Sequence, residues 1–490
     1  MRPALATRDQ VPAPARVRER PDDRERLTPL ERLEALCDRS SLELVRTRIE
    51  SRSARSTPGD GVVAGAGTVG GRPVYCYAQD QGFAGGSLGT AQAETIVRVL
   101  ELAGRASAPV VGFIASGGAR IDEGAGALGG YGSIFRAHVA LSGQVPQISV
   151  ITGTSAGGGA YSPALTDFVV MTEGSRLFLT GPGVVQEVMG EDVTMDELGG
   201  PRVHSRNGVC DLVAPDDRSA AEMVRALLGH LPQSADLPPD PVLPQEPFGR
   251  DPGEAVPASP RKVYDVRSVI RCVGDGSSML ELSPRWARNM VTALTRLNGQ
   301  PVGVVANQPH HLGGAIDSAA SEKAAGFIRR CDAFGVPLVV LVDTPGFLPG
   351  TKQEGLGVIR HGAGLLHAFS SARVPKLTVV LRKAYGGGFI TMNSRRLGAD
   401  MALAWPGAEI GVLGARQAAG IVHRRAIESS DDPGAELDRL TAEYEEKHLR
   451  ADVAAAAGDV DEVIEPADTR RRLIWALSML GTSKSERSQL

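Results

Sequence analysis

The sequence predicts an α/β protein made of two linked copies of one unit, and three observations predict it. Short apolar runs bounded by Gly or Pro alternate with longer stretches of helical period, as strands alternating with helices do. Gly is abundant, at 59 of 490 residues, while aromatics make up only 4%, which suits many tight turns in an Ala/Val/Gly-rich sheet protein. The halves also align at an almost fixed offset of 228 to 229 residues. Gly71-Arg72-Pro73-Val74 matches Gly299-Gln300-Pro301-Val302, Pro109 matches Pro337, Val145-Pro146 matches Val374-Pro375, and Gly157-Gly158-Gly159 matches Gly386-Gly387-Gly388.

Taken in order, residues 1–26 are rich in Arg, Pro and Asp and lack an apolar run of signal-peptide length, so they read as a disordered tail. A helix is expected from Thr28 and Pro29, carrying Leu33, Leu36, Leu42 and Val45 at helical spacings. Strands are expected at 74–78, 109–114, 147–151 and 168–171, with a helix over 91–103 between the first two. The same rhythm returns as strands at 301–306, 336–342, 376–381 and 401–404. Between the sets, residues 232–260 hold nine of the 32 prolines, a composition of extended, semi-rigid chain. The resulting organisation is a first domain over 27–231, a linker over 232–260 and a second domain over 261–482. The charged run 438–450 has the spacing of a solvated helix.

Composition narrows the function. Against 53 basic side chains stand 57 acidic ones, interspersed, for a net charge of −4, so no footprint for nucleic acid or a membrane surface is present. No segment has the length and apolarity of a transmembrane helix. The five cysteines (Cys37, Cys76, Cys210, Cys272 and Cys331) are scattered without a CxxC pair, which reads as reduced thiols in a cytoplasmic protein. His310-His311 is no metal pair, because adjacent residues do not share a face and no third ligand sits at ligand spacing.

The glycine clusters carry the chemistry. Each follows an apolar strand and opens a helix, so each presents backbone N–H groups that lack intrahelical acceptors, and glycine lets a ligand oxygen approach without a Cβ in the way. Tight turns and close helix packing alone would also call for glycine. Duplication at equivalent positions favours a binding role. Neither cluster has P-loop or dinucleotide spacing. Gly153-Thr154-Ser155-Ala156-Gly157 fits the nucleophile-elbow spacing, and a serine hydrolase would then draw an acid and base from residues such as Asp343, His361 or His367.

Further motifs accompany the clusters: Ser116-Gly117-Gly118-Ala119-Arg120-Ile121, Ala156 through Ala164, Thr180-Gly181-Pro182, Gly190-Glu191-Asp192, Asp343-Thr344-Pro345-Gly346-Phe347-Leu348-Pro349-Gly350, Arg382 through Gly388, and Leu397-Gly398-Ala399-Asp400. In this order and spacing, over about residues 27 to 480, they resemble the carboxyltransferase (β) subunits of biotin-dependent acyl-CoA carboxylases, of the acetyl-CoA and propionyl-CoA carboxylase type. The resemblance implies tandem crotonase-like domains, with acyl-CoA on the first and carboxybiotin on the second. It implies an oxyanion hole at Gly157 and Gly158 for the thioester oxygen and another at Gly387 and Gly388 for the biotin ureido oxygen, where Gly388 replaces a common alanine. By the same resemblance Gly117, Gly118, Ala119, Tyr161 and Ile390 shape the acyl-CoA side, and Gly346, Phe347 and Gly386 the biotin side.

The resemblance further implies that biotin is the cofactor and is borne on a separate subunit, since this chain carries no Met-Lys-Met motif and no ATP-grasp-sized region. ATP and bicarbonate would be used by that biotin carboxylase partner. The assembly would be a homo-hexamer, with the site formed between subunits, and the products malonyl-CoA or methylmalonyl-CoA for fatty acid or polyketide precursor supply. In the family the position of Ile390 varies with acyl preference, an apolar residue accompanying acetyl-CoA. Decarboxylation or transcarboxylation on the same fold, and a noncatalytic assembly role, are the alternatives. Arg120 and Arg382-Lys383 are read as solvated or salt-bridged rather than as phosphate contacts.

Overall fold

The computed structural model describes residues 26–51, 56–249, 251–259 and 262–481. The expected tail lies outside these except for Arg26, which donates to the Gly174 carbonyl at 3.2 Å. Helix α1 (Pro29–Leu36) opens with Thr28 and Glu31 as a capping box and buries Leu33 and Leu36. It stops sooner than its periodicity suggests. Cys37 is extended, Ser40 takes a positive φ of 61°, and the Asp38 carboxylate accepts from the Gly70 and Gly71 amides at 3.1 and 2.8 Å. Side-chain bonding to a distant turn wins over helix propagation there. Leu42 and Val45 therefore fall outside α1, and Val45 lies in strand β1 (Glu43–Val45).

The first sheet has the order β1-β2-β3-β4-β5-β7-β9, from β2 (Val62–Val69), β3 (Arg72–Gln79), β4 (Val110–Ile114), β5 (Gln147–Ile151), β7 (Phe168–Thr172) and β9 (Leu212–Ala214). A short ladder of β6 (Thr154–Ala156) and β8 (Arg176–Phe178) stands beside it. The β1-β2-β3 end is antiparallel and the remainder parallel. Helices α2 (Thr90–Arg105) and α3 (Ala125–Leu141) cross between successive strands.

The second sheet repeats this plan as β10 (Leu280–Leu282), β11 (Met290–Leu297), β12 (Gln300–Asn307), β13 (Leu338–Thr344), β14 (Lys376–Tyr385), β15 (Met401–Ala404) and β17 (Glu462–Val463), with β16 (Glu409–Gly411) paired to β14. All eight expected strands exist. The copies agree down to their turns: β2-β3 closes through Gly70 and Gly71 at φ 58° and 78°, β11-β12 through Asn298 and Gly299 at 52° and 81°, the left-handed pair of a two-residue hairpin.

One hydrophobic cluster runs through both halves, joining α1, Phe113 and Phe168 to Phe327, Phe334 and Leu338, while two others fill the remaining face of each sheet. Polar bonds stitch the same seam. Arg330 pairs with Asp211 at 3.0 Å, donates to the Asp167 carbonyl at 2.9 Å and lies 4.9 Å from the Phe168 ring centre. The proline-rich segment is packed rather than free-standing: Val242 donates to the Gly299 carbonyl at 3.1 Å, and a Cβ on Gly299 would meet the Val242 carbonyl oxygen at 1.9 Å. The charged run expected as one helix over 438–450 is divided between an α-helix, Pro433–Tyr444, and a π-helical turn, Glu445–Leu449; only Leu440 and Leu449 are buried in them, and Arg439 ties to Glu436 and Glu443 on the outer face.

Candidate active site

Each parallel sheet delivers its central strand into a glycine cluster. After β5 and β6 the chain turns at Gly157 (φ 57°) into α4 (Gly158–Ala164), and β14 turns at Gly386 (φ 54°) into the helix Gly386–Thr391. Both helices are under two turns long, so they offer directed N–H groups more than a macrodipole. Each is pressed against the loop leaving the preceding strand. A Cβ on Gly159 would stand 2.9 Å from the Ser116 Cβ, and one on Gly388 would stand 2.8 Å from the Gly346 Cα. Only glycine permits that approach.

The facing loops match as well. Leu88 accepts from the Arg120 amide and donates to the Gly118 carbonyl (2.9 and 2.8 Å); Ile316 does the same with Leu348 and Gly346 (2.8 and 3.0 Å). In this parallel bridging pattern the intervening Ala119 and Phe347 direct their own amides away from the bridging strand. Each cradle therefore has two amide-bearing walls: the start of a short helix and the loop residue Ala119 or Phe347.

The first cradle departs from expectation at Gly157, whose amide already donates to the Phe178 and Leu179 carbonyls at 3.2 and 3.1 Å. Gly159 is also engaged, pressed against the Ser116 side chain. Gly158 lies between them at the first helical position, where no intrahelical acceptor exists. It also has a packing role, because a Cβ there would meet the Tyr131 ring at 2.5 Å. That ring is fixed in turn by a 2.7 Å bond between the Tyr131 and Ser116 hydroxyls, and burial raises the phenol pKa.

The remaining predicted residues gather at these two places. Gly117 passes so close to the Gly85 carbonyl oxygen that a Cβ would stand 2.7 Å from it. Gly118 and Gly346 share a left-handed φ of 101° and 119°. Tyr161, on α4, is 52% exposed and meets Phe135 edge-on at 6.2 Å; Ile390, at the equivalent place in the second copy, is 51% exposed. The Phe347 ring lies 3.1 Å from a Cβ on Gly362 and 3.7 Å from one on Gly387.

Buried ion pairs underlie both cradles. Arg120 bonds Asp60 at 2.9 Å and Glu123 at 2.7 Å, and Arg382 bonds Asp343 at 3.0 Å. Both arginines are therefore salt-bridged and buried rather than solvated, and burial pushes the Asp343 carboxyl above its ordinary range against the pull of Arg382 and Lys383. The hydrolase alternative fails at its nucleophile: Ser155 is fully buried and its hydroxyl has no partner among the described residues. Tyr131 and Asp60 escaped sequence reading, since neither lies in a motif and both reach their partners across the fold.

The sequence matches the carboxyl transferase domain over residues 20–489. The chain belongs to that family. This carboxyltransferase is 47% identical to the methylmalonyl-CoA carboxyltransferase 12S subunit of Propionibacterium freudenreichii subsp. shermanii, over 94% of the chain and 90% of the relative. To the biotin-dependent acetyl-/propionyl-coenzyme A carboxylase beta5 subunit of Mycobacterium tuberculosis strain H37Rv it is 44% identical, over 93% and 87%. Its fold superposes on the transcarboxylase 12S crystal structure, described as a hexamer with methylmalonyl-coenzyme A and methylmalonic acid bound, at a TM-score of 0.91 and 46% identity, covering 96% and 91% of the two chains. The tandem crotonase-like fold and the enzyme class implied by the motifs stand. Among the described residues of the carboxyltransferase, no helix is long and apolar enough to cross a membrane.

Proposed function

We propose that this carboxyltransferase moves a carboxyl group from biotin on a separate subunit to the α-carbon of a short-chain acyl-CoA, giving malonyl-CoA or methylmalonyl-CoA. The observation that carries this reading is the duplicated cradle. Transfer between a ureido donor and a thioester acceptor develops negative charge on two oxygens, and two sets of preorganised amides are the matching device. In the first cradle the amides of Gly158 and Ala119 hold the thioester oxygen as the α-carbon loses its proton, and the Tyr131–Ser116 bond keeps that wall in place. In the second, the amides of Gly387 and Phe347 hold the ureido oxygen, and Gly388 lets the helix close onto Gly346. The fit is physical: a Cβ on Gly387 would meet nothing nearer than the Phe347 ring at 3.7 Å, so that wall is open to a ligand. Biotin, when bound, supplies the carboxyl group and a ureido nitrogen able to accept the α-proton, so no protein base is required.

The donor subunit is a biotin carboxylase and carrier that uses ATP and bicarbonate, and the carboxyltransferase works as a cytoplasmic homo-hexamer. The 12S hexamer supports the assembly, as do exposed apolar side chains after both cradles: Val184, Val188 and Met189 in the first copy, Val412, Ile421 and Val422 in the second. Half-exposed Ile390 favours acetyl-CoA over propionyl-CoA, by an amount one apolar contact can supply, about 1–3 kcal/mol. The test is to combine the purified chain with a biotinylated carboxylase, ATP, bicarbonate and acetyl-, propionyl- or butyryl-CoA. Carboxylated product is expected, and its absence with every acyl-CoA would overturn the reading. A preference above about tenfold for propionyl-CoA that Ile390→Asp leaves unchanged would remove Ile390 from specificity.

A further inference from the structure

The two copies differ at one buried spot. In each, the central strand bulges just before its glycine cluster. In the first copy Ile114 pairs with Ile151 and accepts from the Thr152 amide at 3.0 Å, and the bond after that is from the Ala156 amide to the Ser116 carbonyl at 2.8 Å, leaving several residues opposite Ala115 alone. In the second copy Val342 pairs with Val380 and Thr344 with Ala384, leaving Leu381, Arg382 and Lys383 opposite Asp343. A bulge interrupts ladder bonding, so other groups must hold the strands in register.

The copies solve this differently. The first fills the gap with small residues, Ala115 and Gly153, and with Gln81, whose Oε1 lies 2.3 Å from where a Gly153 Cβ would be. The second places a buried ion pair there. Arg382 Nε donates to Asp343 Oδ2 at 3.0 Å, and Asp343 Oδ1 accepts from the Lys383 amide at 3.3 Å. Arg382 Nη1 continues to the carbonyls of Ser259 and Lys262 at 3.1 and 2.8 Å, at the end of the proline-rich segment.

We propose that Asp343 and Arg382 form a positioning pair for the second cradle alone, fixing the separation of its two amide-bearing walls. Asp343 begins the loop that carries Gly346 and Phe347, and Arg382 lies four residues before Gly386, so their bond spans the two segments that form the cradle. The pair touches neither reactant and acts through the backbone. The first cradle's own buried pair, Arg120 with Asp60, lies elsewhere, and at the equivalent positions it has Ala115 and Gly153, so the effect belongs to the biotin half of the reaction; this rests on the reading that biotin occupies the second cradle.

The test uses the full chain and free biotin, following decarboxylation of methylmalonyl-CoA or malonyl-CoA, in which the carboxyl group passes to biotin and a proton replaces it on the α-carbon. Asp343→Asn and Arg382→Lys are compared with wild type for kcat, for KM towards biotin and for acyl-CoA affinity by calorimetry. Misplacing a cradle wall by about 1 Å costs on the order of 10²-fold in rate, the loss expected for Asp343→Asn. Arg382→Lys keeps the charge but loses the fork, and should fall between that variant and wild type, with acyl-CoA affinity within twofold of normal in both. If Asp343→Asn does not fold, Arg382→Lys decides alone. A folded Arg382→Lys chain with unchanged biotin kinetics overturns the proposal, as does a parallel loss of acyl-CoA affinity, which marks a merely structural role. Biotin-independent wild-type turnover overturns instead the reading beneath it.

Discussion

Gly158 and Gly387 occupy matching positions beside their cradles yet have different freedoms. A side chain at Gly158 runs into Tyr131 at 2.5 Å, whereas one at Gly387 meets only the edge of ordinary contact at 3.7 Å. Gly387→Val keeps the backbone donor but stands a branched side chain in that open space, so it should fold, keep acyl-CoA affinity and lose on the order of 10²-fold in biotin-dependent turnover through misplacement of the ligand. Steady-state kinetics with free biotin alongside an acyl-CoA titration would check it, and normal turnover would dismiss Gly387 as a cradle wall. At this scale the sequence was legible where chemistry and glycine coincide. It was silent about Gly157, whose amide is taken up by the Phe178 and Leu179 carbonyls, because a backbone acceptor leaves no mark in residue identity.

Among the elements, the parallel strands were readable as apolar runs because they are buried on both faces. Strand β2 was not. Its Gly65 and Gly67 admit β1 and Cys37 to close range, a Cβ at these positions lying 2.4 Å from the Glu43 carbonyl oxygen and 2.8 Å from Cys37 Sγ, and such glycines erase the strand pattern. The hairpin tip is held by Asp38, which also bonds Thr68 at 2.9 Å and Arg225 at 2.8 Å. The Gly71 amide first, and then Arg225 and Thr68, hold its carboxyl well below the usual range. The unfolded group titrates near about 3.9, so the stability Asp38 adds is complete above about pH 5 and is lost as pH falls through the carboxylate range towards the folded value. Asp38→Asn should lower Tm at pH 7 and flatten its fall on acidification; thermal scans from pH 7 to 3 would show whether the curves converge.

For the whole molecule, the shared core and the Arg330 junction predict that both halves unfold together, in one calorimetric transition. Arg330→Met removes the partner of Asp211. Because Arg330 retains some exposure, the loss should be about 2 kcal/mol, below the full cost of breaking a buried pair. The pH dependence has a definite sign. Burial pushes the Asp167 carboxyl up to about 6 while Arg330 opposes this, so ionised Asp167 costs stability that is absent below about pH 4 and complete above about pH 6. The variant should accordingly be hurt more at pH 7 than at pH 5, and equal losses at both would sever Asp167 from the junction. Mixing experiments address function at this scale: the isolated chain should fix no bicarbonate with ATP, and light scattering should show a larger complex once a biotinylated carboxylase is added.

The contrast between Ala115 opposite Gly153 and Asp343 opposite Arg382 has a consequence for inheritance. Were the two cradles supplied by identical chains, every substitution would strike both at once, and neither could be tuned without altering the other. Joined in one chain, they are separate targets. A pocket for one reactant can acquire a charged brace at a position where its twin keeps alanine and glycine, and the two partners of the reaction become distinguishable to the protein.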